Sequence, residues 1–139
     1  MPAGIMLPPT WPKPDGHITL FYLRDDTNTM NRKAITDALD HLYIPDYSLR
    51  RVHGTEVEMF GPNNDIPVLR ISDEWVYSLQ AQIVGLFKLA GIESGSEFTE
   101  FKPHVTFPLE PGVTIPNVLL AGRPQLWWDN VYTDLQPSI

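Results

Sequence analysis

The sequence contains two triplets in which a histidine and a threonine flank one apolar residue, His17 to Thr19 (HIT) and His104 to Thr106 (HVT). Because side chains alternate along a strand, each histidine and its threonine face one side while the middle residue faces the other. Histidine titrates near neutrality, so one imidazole can accept a proton while another donates one. Threonine hydroxyls can donate to oxygens on which negative charge develops. If the two strands are neighbours, two imidazoles and two hydroxyls line one pocket, an arrangement suited to acid–base catalysis.

A third triplet, HGT at 53 to 55, lacks the apolar middle residue because Gly54 takes its place. Glycine within a strand often marks a bulge or bend, so we interpret His53 as a structural residue that stacks or caps. For His17 and His104 the structural alternative is a pair of partly buried, hydrogen-bonded strand histidines. A single triplet of this kind carries little information, and the inference depends on the matching strand context of the two.

Apolar periodicity predicts the elements that position these triplets. In chain order they are an irregular proline-rich lead-in over 1–15, a strand over 17–23, a helix over 30–42, strands over 49–60 and 66–71, a helix over 76–90, and strands over 103–109 and 125–135. In the first strand we expect Ile18, Leu20 and Tyr22 to share one face. This order predicts one α+β domain spanning 1–139, with helices packed on a largely antiparallel sheet.

Composition limits the classes of function. The chain has 139 residues, of which 42% are hydrophobic, enough for one globular domain with its own core. It has no cysteine, which excludes disulfides and thiolate zinc sites. The net charge of −7 argues against a binder of duplex or long-strand nucleic acid but allows a small anionic ligand. We expect no signal peptide and no membrane span, and therefore a soluble, cytoplasmic protein.

The segments HITL and HVTF resemble the 2H phosphoesterase superfamily, whose hallmark is two H-x-[ST] motifs, each followed by a hydrophobic residue. That family includes cyclic-nucleotide phosphodiesterases, 2′-5′ RNA ligase-like enzymes and phage anti-CBASS enzymes that degrade cyclic oligonucleotide immune signals. The resemblance implies two pseudo-symmetric β/α lobes with helices outside and a central cleft. It also implies that His17, Thr19, His104 and Thr106 are catalytic, with no metal and no cofactor.

Two further residues are candidates for substrate binding. Lys102 precedes Pro103 and is either a phosphate-facing cation or a surface lysine. Trp11, in the lead-in, either stacks on a base or caps the core. The expected partner is a small nucleotide or cyclic oligonucleotide rather than a long nucleic acid or a membrane, and the sequence indicates no oligomeric state.

Two alternative functions use the same histidines. One is a binding module that sequesters a nucleotide without cleaving it. The other is a metal site built from His17, His104 and a carboxylate, although no HxH or HExxH spacing supports it.

Overall fold

The computed structural model describes residues 4–9, 16–23, 29–41, 50–92, 100–107, 114–128 and 131–135. These ranges form an α+β structure with two helices and two four-stranded antiparallel sheets. In chain order the elements are β1 (Gly4–Leu7), β2 (Ile18–Tyr22), α1 (Thr29–Asp40), β3 (Arg50–Phe60), β4 (Ile66–Ile71), α2 (Glu74–Leu89), β5 (His104–Thr106), β6 (Val118–Ala121), β7 (Gln125–Trp128) and β8 (Val131–Asp134).

The first sheet has the order β2-β1-β7-β8, so it combines strands from both ends of the sequence. The prediction of an irregular lead-in is wrong for residues 4–7, because this apolar segment is the central strand β1. Gly4 allows β1 to approach β2 closely, since a Cβ there would lie 2.6 Å from the carbonyl oxygen of Phe21. The predicted final strand over 125–135 is instead the pair β7 and β8.

The second sheet has the order β5-β4-β3-β6. Its central hairpin was predicted, and the turn between β3 and β4 uses positive φ angles at Gly61 (94°) and Asn64 (51°). The edge strand β6 was not predicted. It pairs with the first half of β3, where Val52 lies opposite Leu119.

One hydrophobic core joins both sheets to the helices. Helix α2 contributes Val76, Leu79, Ile83 and Phe87, and the Phe87 ring meets that of Phe21 edge-on at 4.8 Å between centroids. Burying a side chain of this size stabilises the fold by about 1.5–3 kcal/mol. The strands contribute a further set of fully buried residues, namely Ile5, Leu7, Ile18, Leu20, Val52, Ile71, Val105 and Leu119.

The two sheets meet at two places. The edge strands β2 and β5, which carry the two triplets, lie in contact. Beyond the end of β1, Pro9 forms a bridge to Ala121 of β6, and the N–H of Gly122 donates to the carbonyl of Pro8 at 2.7 Å. Neither α1 nor α2 is long and apolar enough to span a membrane.

Candidate active site

The first triplet lies at the start of β2. Ile18 is completely buried in the core, whereas His17 and Thr19 are half-buried on either side of it in the sequence. This alternation agrees with the prediction that the middle residue anchors the triplet while its polar neighbours turn away from the core.

A bulge in β2 corrects the predicted face of Tyr22. The pairing of β2 with β1 shifts by one residue at Leu20, so that Thr19 lies opposite Met6 and Tyr22 lies opposite Gly4. Because positions 4 and 6 share one face of β1, Tyr22 shares the face of Thr19 rather than that of Ile18. The strict alternation expected from the sequence is wrong here because the bulge inserts one extra residue.

The second triplet forms β5. Val105 is completely buried, and the register with β4 places His104 opposite Arg70 and Thr106 opposite Val68. Residues directly opposite each other in an antiparallel pair project to the same face. Next to β4 on that face, β3 presents Glu58 and Phe60. We call the surface formed by Glu58, Phe60, Arg70, His104 and Thr106 the His104 face.

The His104 ring is held on two sides. Its Nδ1–H donates to the backbone carbonyl of Lys102 at 2.6 Å, since a carbonyl oxygen can only accept. The Phe60 ring meets the imidazole at 65°, with 4.7 Å between centroids. With Nδ1 occupied as a donor, Nε2 is the proton-accepting atom of the neutral ring.

Burial lowers the pKa of His104 below its usual value of 6.5. The hydrogen bond to the Lys102 carbonyl opposes this effect, the positive charges of Arg70 and His17 add to it, and the charge of Glu58 opposes it. His104 is therefore neutral at pH 7. The contribution of His17 agrees with the contact between β2 and β5, which belong to different sheets.

Arg70 is a functional candidate that the sequence reasoning missed. Its Nη1 donates to both carboxylate oxygens of Glu58, at 3.2 and 3.4 Å. Its Nε is buried and has no hydrogen-bond partner among the described residues, a condition that usually costs about 1–3 kcal/mol. The sequence contained a signal for this site, because Arg70 is a charged residue between two apolar ones in a strand. Its neighbours Leu69 and Ile71 are both buried.

The other predicted residues have different outcomes. Thr106 is exposed on the His104 face, next to Val68. Lys102 is exposed, and what it gives to the site is its backbone carbonyl. Trp11 lies outside the described residues. In the described part of the chain, no group of three histidine, aspartate or glutamate side chains could hold a metal ion.

His53, in the third triplet, is hydrogen-bonded to Asp73. The Nδ1 of His53 lies 2.7 Å from Oδ2 of Asp73, and the backbone N–H of His53 donates to Oδ1 at 2.6 Å. Asp73 stands at the start of α2 but makes no side-chain capping bond there. Asp73 instead ties β3 to the helix through His53. Gly54 is also required, since a Cβ there would lie 2.7 Å from the Leu69 side chain.

In comparisons with known proteins, the chain matches no protein-family model and no curated protein. The candidate site combines a neutral, oriented imidazole at His104, a second imidazole at His17, beside the contacting strand β2, and a half-buried arginine between Glu58 and His104.

Proposed function

We propose that the protein is a metal-independent phosphodiesterase that cleaves a small cyclic or 2′-linked nucleotide, with His17 and His104 as the acid–base pair. The observation that supports this most directly is the contact between β2 and β5, the edge strands of the two sheets that carry the two triplets. The middle residue of each triplet, Ile18 or Val105, anchors its strand in the core, and a pair of histidines is a combination suited to moving two protons in one reaction.

In this proposal His104 is the general base. Its Nε2 lone pair accepts a proton from water, or from a neighbouring ribose hydroxyl, as that oxygen attacks phosphorus. The bond from phosphorus to the leaving oxygen breaks, and protonated His17 gives its proton to that oxygen. The lowered pKa keeps His104 deprotonated and ready at neutral pH.

Thr19 and Thr106 would donate to the non-bridging phosphate oxygens, where negative charge increases in the transition state. We also propose that the fold consists of two β/α lobes, one for each triplet, and that β2 and β5 line a cleft where the lobes meet. We also assign to it the cytoplasmic location, a stacking role for Trp11 and a phosphate-facing role for the Lys102 ammonium. A net charge of −7 favours a small substrate, such as a cyclic oligonucleotide signal, over a structured RNA.

The test is hydrolysis, in the presence of EDTA, of a panel of 2′,3′-cyclic mononucleotides, 2′,5′-oligoadenylate and cyclic di- and trinucleotides. We expect the wild type to cleave at least one of them. His17→Ala and His104→Ala should each lose about 10²–10⁴-fold in kcat. His53→Ala is the matched control, because it removes a histidine from the third triplet.

Three results would count against this mechanism: no cleavage of any substrate, loss of activity with EDTA, or near-full activity in either triplet variant. Tight nucleotide binding without cleavage would instead identify a sequestering module.

A further inference from the structure

Arg70 occupies a position from which it can act on the same phosphate as His104. The two residues are directly opposite in the β4–β5 register and therefore share the His104 face. The charge of Arg70 also contributes to the lowered pKa of His104, so the two side chains interact.

Glu58 contacts only the Nη1 end of the guanidinium. Glu58 binds at Nη1, through both of its oxygens, whereas Nε lies on the other edge of the planar group together with Nη2. Nε is buried and has no hydrogen-bond partner among the described residues. A buried donor in that condition indicates a missing acceptor. Two parallel N–H bonds from one guanidinium edge match two oxygens of a phosphate.

We propose that Arg70 is a phosphate-binding residue, which grips the substrate phosphate through its Nε and Nη2 edge while Glu58 positions the guanidinium from the opposite side. This inference rests on the proposed function and identifies how that site holds its substrate. Glu58 balances the charge of Arg70, so the ion pair contributes directed donors rather than net charge.

The first experiment compares Arg70→Lys with the wild type. Lysine keeps the positive charge but lacks the planar edge with two donors. The matched control is Lys33→Gln, which removes a positive charge from an 85% exposed side chain on α1. Binding of adenosine 2′-monophosphate, measured by calorimetry, gives a readout that does not require turnover. We expect its Kd to rise about 10- to 100-fold in Arg70→Lys and to stay unchanged in Lys33→Gln.

For any nucleotide that the wild type cleaves, Arg70→Lys should raise KM by a similar factor. Glu58→Gln should have a smaller effect, because the amide oxygen can still accept from Nη1. Arg70→Lys binding the probe as tightly as the wild type would overturn the inference, even if hydrolysis by the wild type is normal. Conversely, a wild type that cleaves nothing but binds the probe through Arg70 would overturn the proposed function alone.

A second measurement does not depend on the folding of any variant. The ¹⁵Nε–¹H resonance of Arg70 should move in wild-type protein when adenosine 2′-monophosphate is added, since Nε gains an acceptor. An Arg70 Nε signal that stays in place while the probe saturates the protein would overturn the inference.

Discussion

The Nδ1–H of His104 donates to the carbonyl oxygen of Lys102, with 2.6 Å between the nitrogen and the oxygen. The two partners are separated only by Pro103, whose ring fixes its own φ angle and restricts the residue before it. A local segment, KPH, thus determines which nitrogen of the ring carries the proton. The motif contains the imidazole of His104, and the residues before it, Lys102 and Pro103, determine which tautomer that imidazole adopts.

We expect the acidic limb of the kcat/KM profile to have its midpoint below pH 6.5, because burial, Arg70 and His17 together lower the pKa of His104. The measurement is the rate from about pH 4.5 to 9, with histidine ¹⁵N spectra recorded over the same range. The spectra should show His104 protonated on Nδ1 and unprotonated on Nε2 at pH 7. A midpoint above 6.5, or the opposite tautomer, would contradict the role of His104 as base.

The same shift has a consequence for stability. With the folded-state pKa of His104 below the unfolded value of 6.5, the unfolded chain binds more protons at acidic pH. This part of the free energy of unfolding therefore falls as the pH drops from about 6.5 through the folded-state pKa. In urea titrations, His104→Gln should lose less stability than the wild type over this window. An identical pH dependence in both proteins would argue against the shift.

Thr19→Val and Thr106→Val should each reduce kcat by about 100-fold while changing the melting temperature little, since valine preserves the shape and removes only the hydroxyl. Thr133→Val is the matched control, because Thr133 is an exposed threonine on β8. Steady-state kinetics and thermal melts separate the two effects. A loss of activity that follows a loss of stability would show that the hydroxyls are structural.

Asp73→Ala should lower the free energy of unfolding by about 1–3 kcal/mol, since the backbone N–H of His53 loses its charged acceptor. His53→Ala should cost less than 1 kcal/mol, because that side chain is 53% exposed and solvent screens its contact with Asp73. Chemical denaturation measures both values. Equal losses would mean that the ring contact, rather than the backbone bond, joins β3 to α2.

Gly4→Ala should destabilise the protein by about 1–3 kcal/mol, because the added Cβ would lie 2.6 Å from the Phe21 carbonyl and force β1 away from β2. Gly85→Ala is the control, for which we expect a change in stability of the opposite sign. It lies in α2 with nothing within 4 Å of the new Cβ, so it should stabilise by about 0.5–1 kcal/mol. Both values come from urea unfolding. A neutral Gly4→Ala would show that the two strands can separate without cost.

The elements that could be predicted from the sequence are those with strong local signals. The β3–β4 hairpin follows from GPNND, and α2 ends at Leu89, shortly before Gly91, whose φ of 74° suits a glycine just after a helix. The two triplet strands follow from alternation around Ile18 and Val105, which are both fully buried. That the triplets are catalytic stays a prediction.

The parts that could not be predicted depend on partners distant in the sequence. Strands β1 and β6 are only four residues each, and each pairs with a strand far along the chain, β1 with β7 and β6 with β3. The bulge at Leu20 changes the face of Tyr22 without any glycine to mark it. Arg70 lies in the site because the pairing of β4 with β5 places it opposite His104. That register is fixed only when the sheet assembles.

Strand β1 lies between β2 and β7, so the first sheet forms fully only when both of these strands have paired with β1. During synthesis, β1 and β2 can pair early as neighbours, but the other edge of β1 stays open until Gln125 to Trp128 have emerged. Pairings between such distant segments make folding slow. The sheet that carries His17 is therefore incomplete until β7 pairs with β1.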